Sequence, residues 1–406
     1  MPKGNYPLWR RLRLVLIAIA LLTPLHVYVG ARLLETLPAS GAGWLAGAAA
    51  LALSCMSIPI GLMARFARRQ ALADTLAWTG SIALGLFSTL FVLTLLRDLA
   101  LIPALAFAPA WALSVALPWS AAAVPAAAGL ATAIGFANAR YPARVVDVEV
   151  PIAGLPKALE GFTIAQISDL HVGTTIRRPF VERVVERANA LGADLIAVTG
   201  DLVDGSVPAL APHVAPIARL RARHGVYFVT GNHEYYSGEP AWSAEVARLG
   251  LRVLKNEHVV LQHDGAALVV AGVTDFSAGH FEPAQRSDPH AALRGAPTDA
   301  TKLLLAHQPR SAFEAAEAGF DLQLSGHTHG GQFWPWNLLV RLQQPFTAGL
   351  HRVGRLWVYT SRGTGYWGPP KRFGAPSEVT RLRLVNARAG DERIGAVPAS
   401  RIRREP

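Results

Sequence analysis

Hydrophobic and polar residues follow two regimes along this chain. Up to about Arg140 nearly every position is Ala, Leu, Val, Ile, Gly, Trp or Phe, in long runs; beyond it, apolar positions form short runs separated by polar clusters. The first regime predicts membrane-spanning helices, because about 20 apolar residues cover the hydrocarbon core of a bilayer. Residues 14–30, 42–63 and 76–96 suit that length. Residues 99–137 are equally apolar but are interrupted by Pro103, Pro109, Pro118 and Pro125. This predicts one crossing at 119–137 preceded by a proline-rich interfacial or re-entrant piece, with another crossing as the alternative. The 14–30 run resembles a signal peptide in following a basic start, but no small-residue cleavage site comes after it and further apolar segments do.

Past Arg140 the short runs predict layered α/β structure. Residues 146–150 alternate apolar and acidic positions, as a half-buried strand does. The short apolar-rich runs at 162–168 and 195–199 read as buried strands, and 226–230, 302–306 and 322–325 as further strands. Residues 259–262 and 268–272 read as an antiparallel pair, and 356–361 and 379–384 as closing strands. Phe180, Val184, Ala188 and Leu191 recur at helical spacing within 179–191. Further helices are expected at 216–223, 241–249 and 310–318. Strands alternating with helices, then added strands, predict stacked layers. The expected division is a transmembrane region of about four helices over 1–140, a globular domain over 141–390 and a basic tail over 391–406.

Composition changes this picture only through charge. The 406 residues are 51% hydrophobic and carry a net charge of +11. Such a balance can serve nucleic acid, but much of the excess flanks apolar runs: Arg10, Arg11 and Arg13, then Arg65, Arg68 and Arg69. Clusters so placed set membrane orientation and put the chain start and the 65–69 loop in the cytoplasm. Four crossings return the chain to the same side, where Arg140 and Arg144 follow. The globular domain is therefore expected at the cytoplasmic face of the inner (plasma) membrane. The one cysteine, Cys55, permits no intrachain disulfide and no CxxC site. A cytosolic-facing domain fits that count, and so does a periplasmic one.

The candidate chemistry lies where the buried runs end. Asp169 and His171 follow the first, and Gly200 and Asp201 the second. Gly231, Asn232, His233 and Glu234 follow the third, His307 the fourth, and Gly326, His327, Thr328 and His329 the fifth. Ligands of open α/β sheets bind beyond the carboxyl ends of strands, so these five ends would meet at one crevice. Carboxylate, imidazole and amide oxygen together suit Mn²⁺, Fe or Zn²⁺, and there are donors enough for two ions sharing one carboxylate. Asp-x-His and His-x-His put alternate residues on one side of an extended segment. Gly200, Gly231 and Gly326 permit tight turns and close backbone approach. Two ions about 3.5–4 Å apart clamp a phosphate and acidify a bridging water. Each piece alone is commonplace, and the ordered set carries the reading.

That ordered set resembles the calcineurin-like metallophosphoesterase superfamily over about 145–385. Gly330-Gly331-Gln332 and Ser361-Arg362-Gly363 resemble its bacterial membrane-associated branch, typified by YkuE-like phosphoesterases. The resemblance implies a four-layer α/β/β/α sandwich behind the helical region. It implies hydrolysis of a phosphomonoester or phosphodiester by metal-activated hydroxide at a binuclear centre. Asp169, His171, Asp201 and His329 would hold one divalent ion, and Asp201, Asn232, His307 and His327 the other, with Asp201 bridging. His233 would face the phosphate and steady the transition state or protonate the leaving oxygen. No ligand of the pattern is missing.

Other residues make weaker claims. Arg362 and Arg372 are candidates to meet phosphate bidentately, against a structural role that is favoured for Arg372. Asp204 and Asp275 are explained by loop polarity. His213, His224, His258, His263, His280, His290 and His351 match no motif, although His280 lies in a loop expected near the site. The stretch Phe333-Trp334-Pro335-Trp336-Asn337-Leu338-Leu339 either packs as core or dips into lipid headgroups. The second reading makes the bilayer a partner and a lipid-linked or nucleotide-lipid phosphate the substrate. A fold-related nuclease competes, opposed by scattered charge with no basic groove signature; so does a non-enzymatic membrane scaffold. No nucleic-acid partner is expected.

Overall fold

The computed structural model describes residues 8–37, 41–64 and 69–387, so Arg65, Arg68 and the 391–406 tail lie outside the described residues. It divides into two units. One holds the N-terminal helices together with Gly368–Phe373; the other runs over Tyr141–Trp367 and resumes at Gly374.

The helical unit contains α1 (Leu8–Leu34), α2 (Ala42–Met63), α3 (Gln70–Phe107) and α4 (Ala110–Arg140). All four are long and apolar enough to cross a membrane. The proline-rich piece ahead of residue 119 is helical. Helix α3 continues through Pro103, and α4 carries Pro118 and Pro125 inside it. A proline removes one N–H, a loss that apolar helices absorb where neighbours re-partner the backbone. Helices α2 and α3 touch at glycine: a Cβ at Gly61 would lie 2.7 Å from Gly80 Cα. Polar groups pair across the helices. Asp98 accepts from Tyr28 at 2.6 Å and Arg32 at 2.8 Å, and Arg97 donates to Ser120 at 2.9 Å.

The segment Gly368–Phe373 packs among these helices. The Lys371 ammonium donates to Thr132 Oγ1 at 3.0 Å, to the Gly85 carbonyl at 3.3 Å and to Thr89 Oγ1. Arg372 N donates to the Gly135 carbonyl at 2.8 Å. Gly135 is needed for this fit, since a Cβ there would sit 2.6 Å from Lys371 Cγ.

The second unit is built on two six-stranded sheets. Its strands are β1 (Arg144–Ile152), β2 (Thr163–Ile167), β3 (Leu195–Thr199), β4 (Val226–Val229), β5 (Arg252–Val253), β6 (Glu257–His263), β7 (Ala266–Gly272), β8 (Thr301–Leu305), β9 (Leu322–Ser325), β10 (Gly349–Val353), β11 (Leu356–Thr360) and β12 (Glu378–Asn386). The first sheet has the order β1-β12-β2-β3-β4-β5 and the second β10-β11-β9-β8-β7-β6. Strands β2 to β5 are parallel, as are β7, β8, β9 and β11. Strands β6 and β7 form the expected antiparallel pair, His263 facing Ala266 at the turn.

The helices of this unit are α5 (Arg178–Ala190), α6 (Val207–Val214), α7 (Asn232–Ser237), α8 (Glu239–Arg248), α9 (Pro289–Ala292), α10 (Ala312–Ala318) and α11 (Trp336–Leu339). The helix expected at 216–223 is displaced. Helix α6 precedes it, with Pro208 in its first turn, and only a 3₁₀ turn, Ala215–Arg219, follows.

Between the sheets lies one apolar layer, in which Ile164, Leu195 and Val229 meet Val270, Leu305, Leu324 and Trp357. A second layer puts Ala312 and Ala315 of α10 against Leu304, Leu356 and Val358. The result is the four-layer α/β/β/α sandwich. Gln166 is among the polar side chains that join the two sheets through this interior. Gln166 Nε2 donates to Thr199 Oγ1 at 2.8 Å and to the Ser325 carbonyl at 2.9 Å. These residues end β3 and β9, so the bond fixes the two strand ends relative to each other.

Candidate metal centre

All five predicted segments emerge from the carboxyl ends of parallel strands: β2, β3 and β4 of one sheet, β8 and β9 of the other. Backbone bonds carry the pairing beyond the strands. Asp169 N donates to Gly200 O and His171 N to Asp201 O, both at 3.0 Å, and Gly326 N to His307 O at 2.9 Å. The turns are tight enough to demand glycine. A Cβ on Gly231 would lie 2.2 Å from Asp201 Oδ1, and one on Gly326 would lie 1.9 Å from Ser168 Oγ and 2.2 Å from Asp169 Oδ2.

The ligand residues themselves are held in an unusual backbone state. Asp169, His171, Asp201, His327 and His329 all have left-handed φ, between 52° and 69°. Such a conformation costs a residue with a side chain roughly 1–2 kcal/mol. It persists here because strands and turns on both sides over-determine it, and it aims the side chains inward.

Those side chains form adjoining sets. Asp169, His171 and His329 offer one ligand atom each within a small cluster, and so do Asp201, His307 and His327. Nε2 of His171 and Nε2 of His329 lie 3.0 Å apart, and His329 Nε2 lies 3.5 Å from Asp169 Oδ1. In the other set His307 Nε2 lies 3.1 Å from Asp201 Oδ2 and 3.3 Å from His327 Nδ1. Asp201 Oδ2 is also 3.7 Å from His171 Nε2, so it reaches both sets. Ligands at about 2.0–2.2 Å from one ion stand roughly 3–3.5 Å apart, which is the spacing seen here.

The outer atoms of the ligands are already committed. His307 Nδ1 lies 2.8 Å from the Thr199 carbonyl and donates to it, which turns Nε2 toward Asp201. His171 Nδ1 bonds Asp204 at 3.1 Å, turning its Nε2 inward. Asp169 accepts from His327 N at 2.9 Å and 3.1 Å, and Asp201 from His233 N at 2.9 Å. Asn232 Oδ1 is buried without a hydrogen-bond partner. An amide oxygen so placed costs stability unless something takes its lone pairs, and a cation does so. The donor set therefore fits divalent ions.

His233 stands at the opening. Its Nε2 is 4.0 Å from Asp201 Oδ2, its Nδ1 bonds Asp204 at 2.5 Å, and its side chain keeps 14% exposure. Tyr236 and Trp367 meet the ring edge-on, at 5.2 Å and 5.6 Å between centroids.

The charges follow this geometry. Burial pushes His233 down, but the Asp201 and Asp204 carboxylates outweigh it and raise the imidazole to about 9. Burial likewise opposes charge on His307, and Asp201 overcomes it, holding His307 well above its ordinary value. His327, buried beside His307, is pushed down to about 3. Burial works against both Asp201 and Asp204, yet the imidazoles around them keep both carboxyls below their usual range.

Two contributors escaped the sequence reading. Asp204, assigned to loop polarity, is the shared partner of His171 and His233. The signal was its position three residues after Asp201, in the same loop. Glu234, quoted within a motif but given no role, accepts from Gly231 N at 2.7 Å, Leu202 N at 2.8 Å and Asp201 N at 2.9 Å. Burial and nearby Asp201 push it up to about 8 against the pull of those N–H groups. An acid at the third position of α7, reaching back over the helix start, was the available clue.

Arg362 is placed by structure rather than by the ligand sets. Its guanidinium bonds buried Glu378 at 2.9 Å, and its Cγ packs where a Cβ on Gly330 would stand, 3.0 Å away. Arg372 is fully buried. His280 bonds the Ser277 carbonyl and joins none of the ligand clusters found among the described residues. The 333–339 stretch splits: Phe333 is buried, while Trp336, Leu338 and Leu339 are exposed.

Comparison with known proteins agrees with this geometry. Residues 162–331 match the sequence model of the calcineurin-like phosphoesterases. The chain is 40% identical over 262 residues to a transmembrane protein with metallophosphoesterase domain from Bos taurus, covering 62% of this chain and 59% of that protein. It is 33% identical to an uncharacterized metallophosphoesterase of Aquifex aeolicus, covering 60% of this chain and 92% of the relative. It is 30% identical to the uncharacterized metallophosphoesterase YkuE of Bacillus subtilis, covering 57% and 81%.

Proposed function

This chain belongs to the calcineurin-like phosphoesterase family, and from that premise we propose that it is a membrane-anchored hydrolase of phosphomonoesters or phosphodiesters with a binuclear centre. One observation carries the proposal: Asp201 Oδ2 reaches both the His171 side and the His307 side of two adjoining donor sets. Asp169, His171, Asp201 and His329 would hold one divalent ion and Asp201, Asn232, His307 and His327 the other. When bound, Mn²⁺, Fe or Zn²⁺ ions supply Lewis acidity, neutralising phosphate oxygens and acidifying a water.

The remaining chemistry belongs to the side chains. Asp201 sets the spacing of the two donor sets and holds the His233 backbone through its N–H. His233, held protonated at neutral pH by Asp201 and Asp204, donates from Nε2 to the departing oxygen. Asp204 fixes the tautomer and aim of that ring through Nδ1. Arg362, anchored by Glu378 beside the Gly330 turn, is the guanidinium assigned to a phosphate oxygen. The arginine distribution orients the domain toward the cytoplasm at the inner membrane. A lipid-linked phosphate is the narrower substrate class.

The test uses the whole chain in detergent, stripped by chelator and reloaded. Two Mn²⁺ per chain and hydrolysis of bis-p-nitrophenyl phosphate are expected. One ion per chain at saturation refutes the binuclear assignment, and loaded protein without turnover leaves a scaffold.

A further inference from the structure

We propose that residues 336–342 and Trp367 form an interfacial surface that dips into an anionic bilayer and presents a lipid phosphoester to the metal centre. The reaction itself rests on the phosphoesterase reading above; the lipid surface is the addition. Trp336, Leu338, Leu339 and Leu342 are 40%, 59%, 48% and 85% exposed. Large apolar side chains that singly would be ordinary surface here fall within seven consecutive residues, and such a cluster marks an interaction site.

The cluster is built onto the metal site. Asn337 of α11 packs so closely on Gly331, two residues after His329, that a Cβ there would lie 2.1 Å from Asn337 Cα. The next residue, Gln332, grips Trp367 at both ends of its backbone: Gln332 Nε2 donates to Trp367 O and Trp367 N donates to Gln332 Oε1, both at 2.9 Å. Trp367 is 54% exposed, with its indole 5.6 Å from the His233 ring. A surface that engages Trp336 to Leu342 therefore acts on residues adjoining His329 and His233.

Charge selects the occupant. Between Asp321 and Glu378 the chain has no acidic residue, and of its six basic ones, Arg341, Arg352, Arg355, Arg362, Lys371 and Arg372, it exposes Arg341 and Arg355. Arg341 is exposed inside the apolar cluster itself. Indole and leucine with an adjoining guanidinium is the pattern that seats at headgroup level, the carbon in the acyl boundary and the cation on lipid phosphate. The same chain carries four helices fit to span a bilayer, and from Trp367 it passes directly into Gly368–Phe373, which group with those helices. A bilayer thus fits better than a soluble protein partner.

Two measurements test this on the full chain, reconstituted in vesicles of phosphatidylcholine and phosphatidylglycerol. In the first, Leu342→Cys in a Cys55→Ala background is labelled with nitrobenzoxadiazole. Quenching by acyl-chain spin-labelled lipid, with shielding from an aqueous quencher, is expected; quenching from water alone overturns the surface. In the second, the double change Leu338→Glu and Leu342→Glu is assayed on two esters with the same leaving group. Hydrolysis of bilayer-embedded phosphatidyl-p-nitrophenol should fall about tenfold, while that of soluble bis-p-nitrophenyl phosphate stays within about twofold. Equal losses, or a parent chain that cleaves only the soluble ester, overturn lipid presentation and leave the phosphoesterase reading standing. Cleavage of neither ester by Mn²⁺-loaded protein overturns both.

Discussion

Asp204→Asn isolates the electrostatic part of the proposed mechanism. The carboxylate accepts from His233 Nδ1 at 2.5 Å and from His171 Nδ1 at 3.1 Å. Asparagine keeps an acceptor oxygen in place and removes the charge. A charge-assisted bond is worth about 1.5–3 kcal/mol and a neutral one about 1, so the change costs the imidazolium roughly 1–2 kcal/mol. At about 1.4 kcal/mol per pH unit, His233 should titrate about one unit lower than its present value near 9. The sign is fixed by that value lying above the ordinary 6.5. The protonated ring, with whatever stability it brings, is complete below 6.5 and is lost as pH rises through 9. The assay is a pH profile of kcat on bis-p-nitrophenyl phosphate at saturating Mn²⁺. We expect the basic limb to move about one unit to lower pH, and kcat midway between the two limbs to fall about threefold. An unmoved limb with unchanged kcat refutes the assignment of His233 as the acid. A loss fully restored by more Mn²⁺ shows instead that Asp204 acts only through His171.

Other outcomes follow from the same geometry. Asp201→Asn removes the charge that both donor sets share; it should lower turnover roughly 100-fold or more, beyond the cost of an outer-shell partner, and elemental analysis should find fewer than two ions per chain. Normal metal content with normal turnover would contradict that. Glu234→Gln sets an amide against four buried N–H donors, so we expect a loss of about 2–4 kcal/mol, read as a lowered thermal midpoint. A midpoint equal to the parent's argues that the carboxylate holds nothing. Gly326→Ala forces a methyl into Ser168 and Asp169, so the variant should keep its helical circular dichroism and lose metal; parent-like loading would show that the turn yields.

Much of the α/β unit was legible because its parallel strands are buried on both faces. Leu195–Thr199 reads as an apolar run closed by one threonine, Leu322–Ser325 reads as a short strand, and both are strands over those same residues. Edge elements were not. In β10, Leu350, His351 and Arg352 are only half-buried, so no alternation marks them, and β5 is two residues long. Helix α6 was hidden because Pro208 and Pro212 look like loop punctuation, although a proline in the first turn suits a helix. The polar residues that meet at the site were visible from their place after each apolar run. Their left-handed backbone was not, because nothing about an Asp or His in isolation favours it. Asp204 and Glu234 stayed hidden for a related reason: each acts on a neighbour brought close only by the fold.

The six residues Gly368–Phe373 bear on how the catalytic portion can be prepared. A truncation beginning at Tyr141 deletes Thr89, Thr132 and the Gly85 carbonyl, and so leaves the Lys371 amine without the three oxygens that receive its protons. The excised fragment would carry this basic segment one peptide bond after the indole beside His233. Nanodiscs holding the uncut polypeptide are therefore the preparation in which Lys371 keeps those three acceptors.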